Sequence, residues 1–348
     1  NLMSVEFKDW DVDHWAYLNG KPEVEADFKR EPKDFIVDEK LGFELTGEGE
    51  NLFLHIEKTG LNTQQVCQHL AKVLNKRLRD IGYAGLKDKQ AITRQWFSVQ
   101  VNVKSEPDLS AIETEQIKLL SATRHNKKLR VGALAGNGFI IRLRNVSDQQ
   151  ALIARLQTAT AGVPNYFGPQ RFGIKGNNLN WANRMSSGEQ IRDKKLKGFA
   201  LSAARSYLFN QVVSERIAKD HFEQPLEGDV YSLSGSNSYF SETISDAILA
   251  RLQSHDISIS APLWGDGELA TEGEARALEL TALTPFQTWQ NLLQENALEQ
   301  ERRSIHLMAE DLKWQTDNED LIVSFILPTG CFATSVLREC VRFRESSE

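Results

Sequence analysis

Alternating apolar and polar residues predict a series of strands along this chain. The alternating segments cover residues 33–40, 51–58, 95–101, 117–123, 139–144 and 321–327. Between them, apolar residues at helical spacing predict a helix capped by Thr63, with a buried stripe formed by Val66, Leu70, Val73 and Leu74. Residues 148–160 predict a second helix. This order favours an α+β fold with a mixed, largely antiparallel sheet over a doubly wound parallel one.

The pattern changes near residue 162. Glycine, asparagine and basic residues fill 162–198, and a long helix is predicted over 201–219. Acidic segments then continue to about residue 310. After them, the apolar strand near the C-terminus again has the strand-like pattern of the first part of the chain. We therefore predict one domain inserted into another. Residues 1–161 and 310–348 form the first body, and residues 162–309 form the inserted domain.

Charge is distributed unevenly along the 348 residues. The net charge is −7, but residues 221–330 hold 19 acidic and 5 basic residues, so the rest of the chain is −7 − (−14) = +7. Basic residues cluster at 76–79, 124–130 and 192–197. This segregation suggests a basic face for a polyanion, although each cluster alone is equally typical of a solvated surface.

Metal and redox chemistry find little support in the sequence. Its three cysteines, Cys67, Cys331 and Cys340, form no Cys-x-x-Cys pair, and its seven histidines are scattered without a ligand spacing. We expect neither a metal nor a cofactor. The longest apolar run is too short to span a membrane, and the N-terminal residues do not resemble a signal peptide. We expect a cytoplasmic protein that does not associate with membranes.

The segment from Tyr83 to Trp96 carries the strongest candidate chemistry. Asp88 stands between Lys87 and Lys89, after two glycines and before a strand. Nearby cations favour the ionised form of a carboxylate, which keeps it available for chemistry. By itself this pattern is also typical of a lysine-flanked surface turn.

Five blocks of the chain, taken together, resemble the tRNA pseudouridine synthase TruD family. The segment Gly85-Leu86-Lys87-Asp88-Lys89 is similar to that family's signature block, which has the catalytic aspartate at its centre. The other four blocks occur in the family's order: Lys29 with 32–37 and Glu39; 124–130 with 136–139; 163–173; and 327–335. The resemblance implies a pseudouridine-synthase-like catalytic domain with an inserted TRUD-type α/β domain.

The resemblance also implies roles for individual residues. Asp88 would be the catalytic carboxylate, with Lys29 as the cation that keeps it ionised. Aromatic positions around the flipped uridine would be Phe35, Phe139 and Phe332, and Asn137 would be its polar contact. Phe35 and Phe139 also fit a core pattern, because each belongs to an alternating strand. In an extended segment Lys87 and Lys89 point away from Asp88, and we expect them to contact phosphates.

The predicted activity is therefore the isomerisation of uridine to pseudouridine in tRNA, specifically uridine 13 of a tRNA such as tRNA-Glu. We expect tRNA as the partner and a monomer without an obligate protein partner. One alternative is a catalytically idle RNA-binding or RNA-folding protein on the same scaffold. A carboxylate-dependent hydrolase is a second alternative, but the nearest acid, Asp80, lies at an unrelated helix end. His125 lies in the basic run, and we assign it no acid–base role.

Overall fold

The computed structural model describes residues 6–345. Its strands are β1 Glu25–Ala26, β2 Phe35–Leu41, β3 Asn51–Thr59, β4 Ile81–Tyr83, β5 Ile92–Gln100, β6 Ile117–His125, β7 Leu134–Leu143, β8 Val163–Pro164, β9 Val230–Leu233, β10 Tyr239–Ser241, β11 Ile257–Leu263, β12 Glu301–Ser304, β13 His306–Leu307, β14 Glu310–Asp317, β15 Asp320–Pro328 and β16 Arg342–Phe343. Its helices are α1 Thr63–Val73, α2 Gln149–Ala159, α3 Asn177–Ser186, α4 Lys194–Ala218, α5 Asp246–Gln253, α6 Gly273–Leu283, α7 Gln287–Glu295 and α8 Ala333–Arg338. The fold is α+β, as predicted.

Two compact units make up the described chain. We call residues 23–160, 309–330 and 340–345 the sheet unit, and residues 6–22, 161–308 and 331–339 the helical unit. The predicted boundaries place residues 6–22 and 331–339 with the first body, whereas the structure groups them with the insertion. Burial explains this grouping, because Trp15 is 2% exposed within the aromatic core of the helical unit. Residues 1–5 and 346–348 of the predicted first body lie outside the described residues.

The sheet unit is built on an eight-stranded sheet. Its strands follow the order β14-β15-β7-β2-β5-β3-β6, and β4 pairs with β5 beside this path. β2 and β5 run parallel, and the other pairs of this sheet are antiparallel. On β3, Leu52, Leu54 and Ile56 face one core and Lys58 continues the same side of the strand, while Phe53 is buried in a second core. The predicted strands are thus confirmed, and the inward-facing lysine among them is unexpected.

Helix α1 packs its apolar stripe into a core of the sheet unit. Val66 and Leu70 are fully buried there, and Val73 and Leu74 pack against the edge of the same core. The predicted cap is wrong by one residue, because the Asn62 side chain accepts the hydrogen bond from the Gln65 backbone N–H. The Thr63 hydroxyl is buried instead and is available for other contacts.

The helical unit contains the long helix α4 and a four-stranded antiparallel sheet of order β10-β9-β11-β12. Helix α4 contacts strand β11 of this sheet. α4 begins seven residues before the predicted start, because the Asp193 side chain accepts hydrogen bonds from the N–H groups of Lys195 and Leu196. Leu208 and Val212 are fully buried on its inner face. None of the helices in residues 6–345 combines the length and apolar character needed to cross a membrane.

Candidate active site

Asp88 lies in the sheet unit, in the irregular segment of residues 84–91 between β4 and β5, which we call the Asp88 loop. Its side chain is 54% exposed, and its Oδ2 lies 3.8 Å from Nζ of Lys29. Its Oδ1 accepts a hydrogen bond of 3.0 Å from the Gln90 backbone N–H. Asp88 therefore presents an accessible carboxylate that is oriented by its own loop and faces a cation.

Lys29 is held against aromatic rings. Its ammonium lies 4.3 Å from the ring centroid of Phe35 and 5.4 Å from that of Phe28. Burial lowers the pKa of Lys29, and the negative charge of Asp88 opposes this shift. The backbone of Lys29 has φ 53°, a left-handed conformation that costs free energy in a residue with a side chain. Strain of this kind persists only where the surroundings hold it, so the position of Lys29 is strongly constrained.

The predicted aromatic residues of the sheet unit form a connected row. Phe35 contacts Phe139 edge to face at 5.9 Å, and Phe139 lies 5.6 Å from Phe325. Phe35 and Phe139 are each 8% exposed. Their burial fits the core interpretation, while Phe35 places one end of the row against Lys29, the cation that faces Asp88.

Asn137 lies in the centre of the sheet, where β7 pairs with β2 and β15. It is opposite Glu39 on one side and Leu327 on the other. Within the described residues, its Oδ1 is buried and accepts no hydrogen bond. A buried acceptor without a donor costs about 1–3 kcal/mol. This oxygen is therefore free to accept a hydrogen bond from a donor outside the described residues.

Lys87, for which we expect a phosphate contact, forms an ion pair within the sheet unit. Its Nζ lies 2.7 Å from Oε2 of Glu39, whose side chain is completely buried. Oε1 of Glu39 accepts a further hydrogen bond from the Trp96 backbone N–H. Burial raises the pKa of Glu39, and the charge of Lys87 acts in the opposite direction. Lys87 thus ties the Asp88 loop to β2, whereas Lys89 is exposed and forms no ion pair within residues 6–345.

Lys58 is a residue of this site that the sequence analysis missed. Its side chain is fully buried, and its Nζ donates hydrogen bonds to the backbone carbonyls of Leu61 at 2.8 Å and Asp88 at 3.3 Å. Burial lowers the pKa of Lys58 to about 8, against the opposing charge of Asp88. The signal was present in the sequence. Lys58 continues the inward-facing alternation of Leu54 and Ile56, a position at which an unpaired lysine is rare.

Two further buried groups hold the Asp88 loop. The Thr63 hydroxyl accepts a hydrogen bond of 3.0 Å from the Lys87 backbone N–H. The Gln95 side chain donates one of 2.8 Å to the Gly85 carbonyl. Together with Lys58 and the Glu39–Lys87 pair, these contacts hold the loop at Gly85, Lys87 and Asp88. The Asp88 side chain is exposed, whereas the main chain of the loop is anchored.

Phe332 lies in the helical unit, where it is half-buried. Its ring centroid is 5.9 Å from that of Phe167, and the guanidinium of Arg171 lies 5.6 Å from it. It precedes helix α8 as its N-cap residue. The structure therefore places Phe332 among aromatic and cationic side chains.

A basic cavity of about 910 Å³ opens elsewhere on the sheet unit. Its lining includes Phe43, His125, Lys127, Lys128 and Arg130. The three cationic side chains are exposed. Nδ1 of His125 accepts a hydrogen bond from the Thr46 N–H, and its ring stacks on Phe43 at 4.9 Å. These contacts hold the His125 ring in place between Thr46 and Phe43.

Arg124, although it belongs to the same basic run, is used differently. Its guanidinium donates hydrogen bonds to backbone carbonyls of Gly49, Val101, Asn102 and Ser105. Those contacts tie neighbouring loops together. The surface that remains for a polyanion is therefore formed by Lys127, Lys128 and Arg130.

Neutralising Lys127, Lys128 and Arg130 to glutamine should weaken RNA binding and flatten the plot of log affinity against log salt. Each phosphate contact that is lost removes about 0.7 from the slope for a single strand, because fewer counterions are released. Filter binding of tRNA over a range of KCl concentrations measures this slope. Glutamine at the exposed acids Glu268, Glu272 and Glu274 is the matched control and should leave it unchanged. Equal slopes for the two variants would place the RNA elsewhere.

Several known proteins are similar to this chain over nearly its whole length. The family model described as tRNA pseudouridine synthase D (TruD) matches residues 11–188 and 183–340. A protein named tRNA pseudouridine synthase D from Pseudoalteromonas atlantica is 48% identical, over 94% of this chain and 96% of its own. One of the same name from Aeromonas salmonicida is 45% identical, over 96% of each chain.

A solved structure shows the same fold. It is a crystal structure of a Methanosarcina mazei protein assigned to tRNA pseudouridine synthase D (TruD), with a TM-score of 0.70 and 22% identity. The alignment covers 94% of this chain and 95% of that one. The family match and the two close relatives span nearly the whole chain, and this chain therefore belongs to the tRNA pseudouridine synthase D (TruD) family of isomerases.

Proposed function

We propose that this enzyme converts uridine 13 of a tRNA such as tRNA-Glu to pseudouridine, with Asp88 as the essential carboxylate. The observation that supports this most is the accessible Asp88 carboxylate, which lies 3.8 Å from the Lys29 ammonium. The membership of the family makes the chain a tRNA pseudouridine synthase. The position of the uridine, the tRNA and the roles of individual residues are the parts that we propose.

The reaction breaks the bond between uracil N1 and ribose C1′ and rejoins the same base through C5. An ionised carboxylate can begin it either by attacking C1′ or by removing the proton from C2′. No atoms enter or leave apart from a proton: C5 loses one, and N1 gains one. Lys29 supports the anionic form of Asp88, because an opposite charge nearby favours ionisation.

The uridine must leave its stack before the carboxylate can reach the ribose, at a cost of a few kcal/mol. We propose that Phe35, Phe139 and Phe332 offer aromatic surface to the extruded nucleotide. Asn137 is proposed to accept a hydrogen bond from the uracil N3–H through its Oδ1, which is buried without a partner among the described residues. Exposed Lys89 is proposed to contact a phosphate, whereas Lys87 is proposed to act by holding the loop.

Mapping pseudouridine in total tRNA tests this proposal. Cells that lack the gene should lose pseudouridine at position 13 of tRNA-Glu and regain it when the wild-type gene is returned. A strain that receives the Asp88→Asn gene should remain unmodified. Modification that persists at this position without the gene, or a different position lost in its place, would overturn the assignment.

The catalytically idle alternative predicts a different outcome. An RNA-folding protein would need the RNA-binding surface but not an anchored carboxylate. The Asp88 loop is held at its backbone by Lys58, Thr63 and Gln95, an arrangement that a binding surface alone does not require.

We also propose that the enzyme acts as a cytoplasmic monomer. We further propose a catalytic domain of residues 1–161 and 310–348 and an inserted domain of residues 162–309 as the functional division of the chain. In the structure, residues 6–22 and 331–339 of that catalytic domain are grouped with the helical unit.

Activity should survive extensive chelation of metal ions, because the proposed isomerisation uses only a carboxylate, its paired cation and the nucleotide itself. Tritium release from tRNA labelled at uridine C5 measures the reaction before and after treatment with a chelator. The tRNA fold is kept constant with monovalent salt and checked by its melting curve. A loss of activity that added zinc or magnesium restores, with the tRNA folded throughout, would contradict this expectation.

A further inference from the structure

The segment Gly168-Pro169-Gln170-Arg171-Phe172-Gly173 of the helical unit has no role in the proposed chemistry so far. Residues Pro169–Phe172 form a 3₁₀ turn that begins at Gly168. A Cβ at Gly168 would lie 2.6 Å from Oγ1 of Thr334 and 3.1 Å from Cδ1 of Phe332. The missing side chain thus lets this backbone lie directly against Phe332. As a result, the side chain of Arg171 reaches the ring of Phe332.

Arg171 is a partly buried cation whose donors are mostly unused. Its guanidinium lies 4.9 Å from the ring centroid of Phe167 and 5.6 Å from that of Phe332. Within residues 6–345 this guanidinium forms no ion pair, and its one hydrogen bond runs from Nη1 to Oγ of Ser202 at 2.7 Å. A guanidinium carries five N–H donors. Because Arg171 is partly buried, its charge is incompletely solvated, and this burial lowers its pKa.

A second arginine lies against the same ring. The guanidinium of Arg303 is 3.9 Å from the ring centroid of Phe167, and its Nη2 donates hydrogen bonds to the backbone and side-chain oxygens of Asn165. Burial lowers the pKa of Arg303, and the positive charge of Arg171 lowers it further. Two guanidinium groups around one phenylalanine create a positive potential that an anion would relieve.

We propose that Arg171, with Arg303 beside it, binds a phosphate group of the RNA substrate close to Phe332. The planar fork of a guanidinium matches two phosphate oxygens, and the aromatic rings hold that fork in one orientation. Ser202 accepts from one Nη1 donor and leaves the others for the ligand. This proposal rests on the proposed function, because it takes RNA as the ligand.

The first test is the salt dependence of tRNA binding by Arg171→Gln. Losing one phosphate contact should reduce the slope of log affinity against log salt by about 0.7 and weaken binding on the order of tenfold. Arg171→Lys keeps the charge and should keep most of the slope. Arg184→Gln is the control, because Arg184 stacks on Phe7 and is already paired with Glu189. A wild-type slope in Arg171→Gln would overturn the proposal.

The second test locates the phosphate. A series of short stem-loop RNAs carries one uncharged methylphosphonate linkage each, and their affinities are compared for the wild type and Arg171→Gln. One linkage should weaken RNA binding by the wild type about tenfold and leave the affinity of Arg171→Gln unchanged. The other linkages should affect the affinities of both proteins equally. The wild-type series also decides the matter if Arg171→Gln does not fold, since the absence of any sensitive linkage would refute a phosphate contact.

The two proposals can fail separately. Pseudouridine formation by the wild type on tRNA is measured first, and its absence would refute the proposed function. If the wild type is active and Arg171→Gln keeps both its salt slope and its sensitivity to every linkage, only the phosphate site is refuted. Arg171 would then be a packing residue of the helical unit.

Discussion

Replacing Asp88 with asparagine should lower single-turnover pseudouridine formation by about three orders of magnitude or more. Asparagine keeps the shape of the side chain and its ability to accept the hydrogen bond from the Gln90 N–H. It cannot attack C1′ or accept the proton from C2′ as a carboxylate does. The charge that Lys29 stabilises at 3.8 Å is the property that is removed.

Binding of tRNA by Asp88→Asn should stay close to that of the wild type. Affinity depends mainly on phosphate contacts and stacking, and the loss of a negative charge near RNA does not weaken either. Filter binding and tritium release are measured on the same preparations, so that turnover and affinity can be separated. A variant that isomerises uridine at the wild-type rate would exclude Asp88 as the essential carboxylate.

Asp80→Asn is the matched control for this substitution. Asp80 also belongs to the sheet unit, and its carboxylate is 3.1 Å from Nε of Arg77 in the turn that precedes β4. That ion pair lies at the surface, and Arg77 lowers the pKa of Asp80. Since Asp80 has no contact with the Asp88 loop among the interactions described, turnover should be unchanged.

Replacing Lys58 with methionine should lower turnover on the order of a hundredfold, the size of effect expected when a reactive group moves by about 1 Å. Methionine has a similar length but cannot donate to the carbonyls of Leu61 and Asp88, which Lys58 holds at 2.8 and 3.3 Å. The Asp88 backbone loses this anchor, while the carboxylate itself remains. Binding of tRNA should change little.

Lys118→Met is the control for Lys58→Met. Lys118 lies on β6 of the same sheet, but its side chain is 71% exposed and its contact with Glu57 is 4.0 Å. Removing it takes away one lysine charge without touching the loop, and turnover should stay at the wild-type value. Wild-type turnover in Lys58→Met as well would show that the loop does not need this anchor.

The pH dependence of stability gives an independent test of the Lys58 position. Its pKa is about 8 in the folded protein and 10.5 in the unfolded chain. Between these values the unfolded chain binds more protons, so this group increases the free energy of unfolding as pH rises from about 8 to 10.5. Urea unfolding across this range should show the increase in the wild type relative to Lys58→Met. Parallel curves for the two proteins would contradict a buried, charged Lys58.

The strands and helices that surround the site were predictable because their signals are local. Alternation along β3 and β7 reports which side chains face the core, and the stripe of Val66 and Leu70 reports the buried face of α1. Both depend only on the residues of one element. Asp88 itself could be singled out because a lysine-flanked carboxylate before a strand forms a short, contiguous motif.

The partners of those residues were not predictable in the same way. Lys87 appeared free to contact phosphate, yet it pairs with the buried Glu39 at 2.7 Å. That contact depends on β2 and β5 being neighbours in parallel, although α1, β3 and β4 intervene between them in the sequence. Strand order is set by the packing of the whole sheet, and no local pattern contains it.

The α+β class, the family, most element positions and the candidate carboxylate can be recognised from the amino-acid sequence, because side-chain periodicity and motif spacing are properties of the chain alone. The anchoring of the Asp88 loop by Lys58 and Glu39, and the packing of residues 6–22 with the helical unit, are visible only in the folded protein. The contact of Arg171 and Arg303 with the same ring is also visible only there. These contacts join residues far apart in sequence, and their energies depend on burial and on neighbouring charges that exist only in the folded chain.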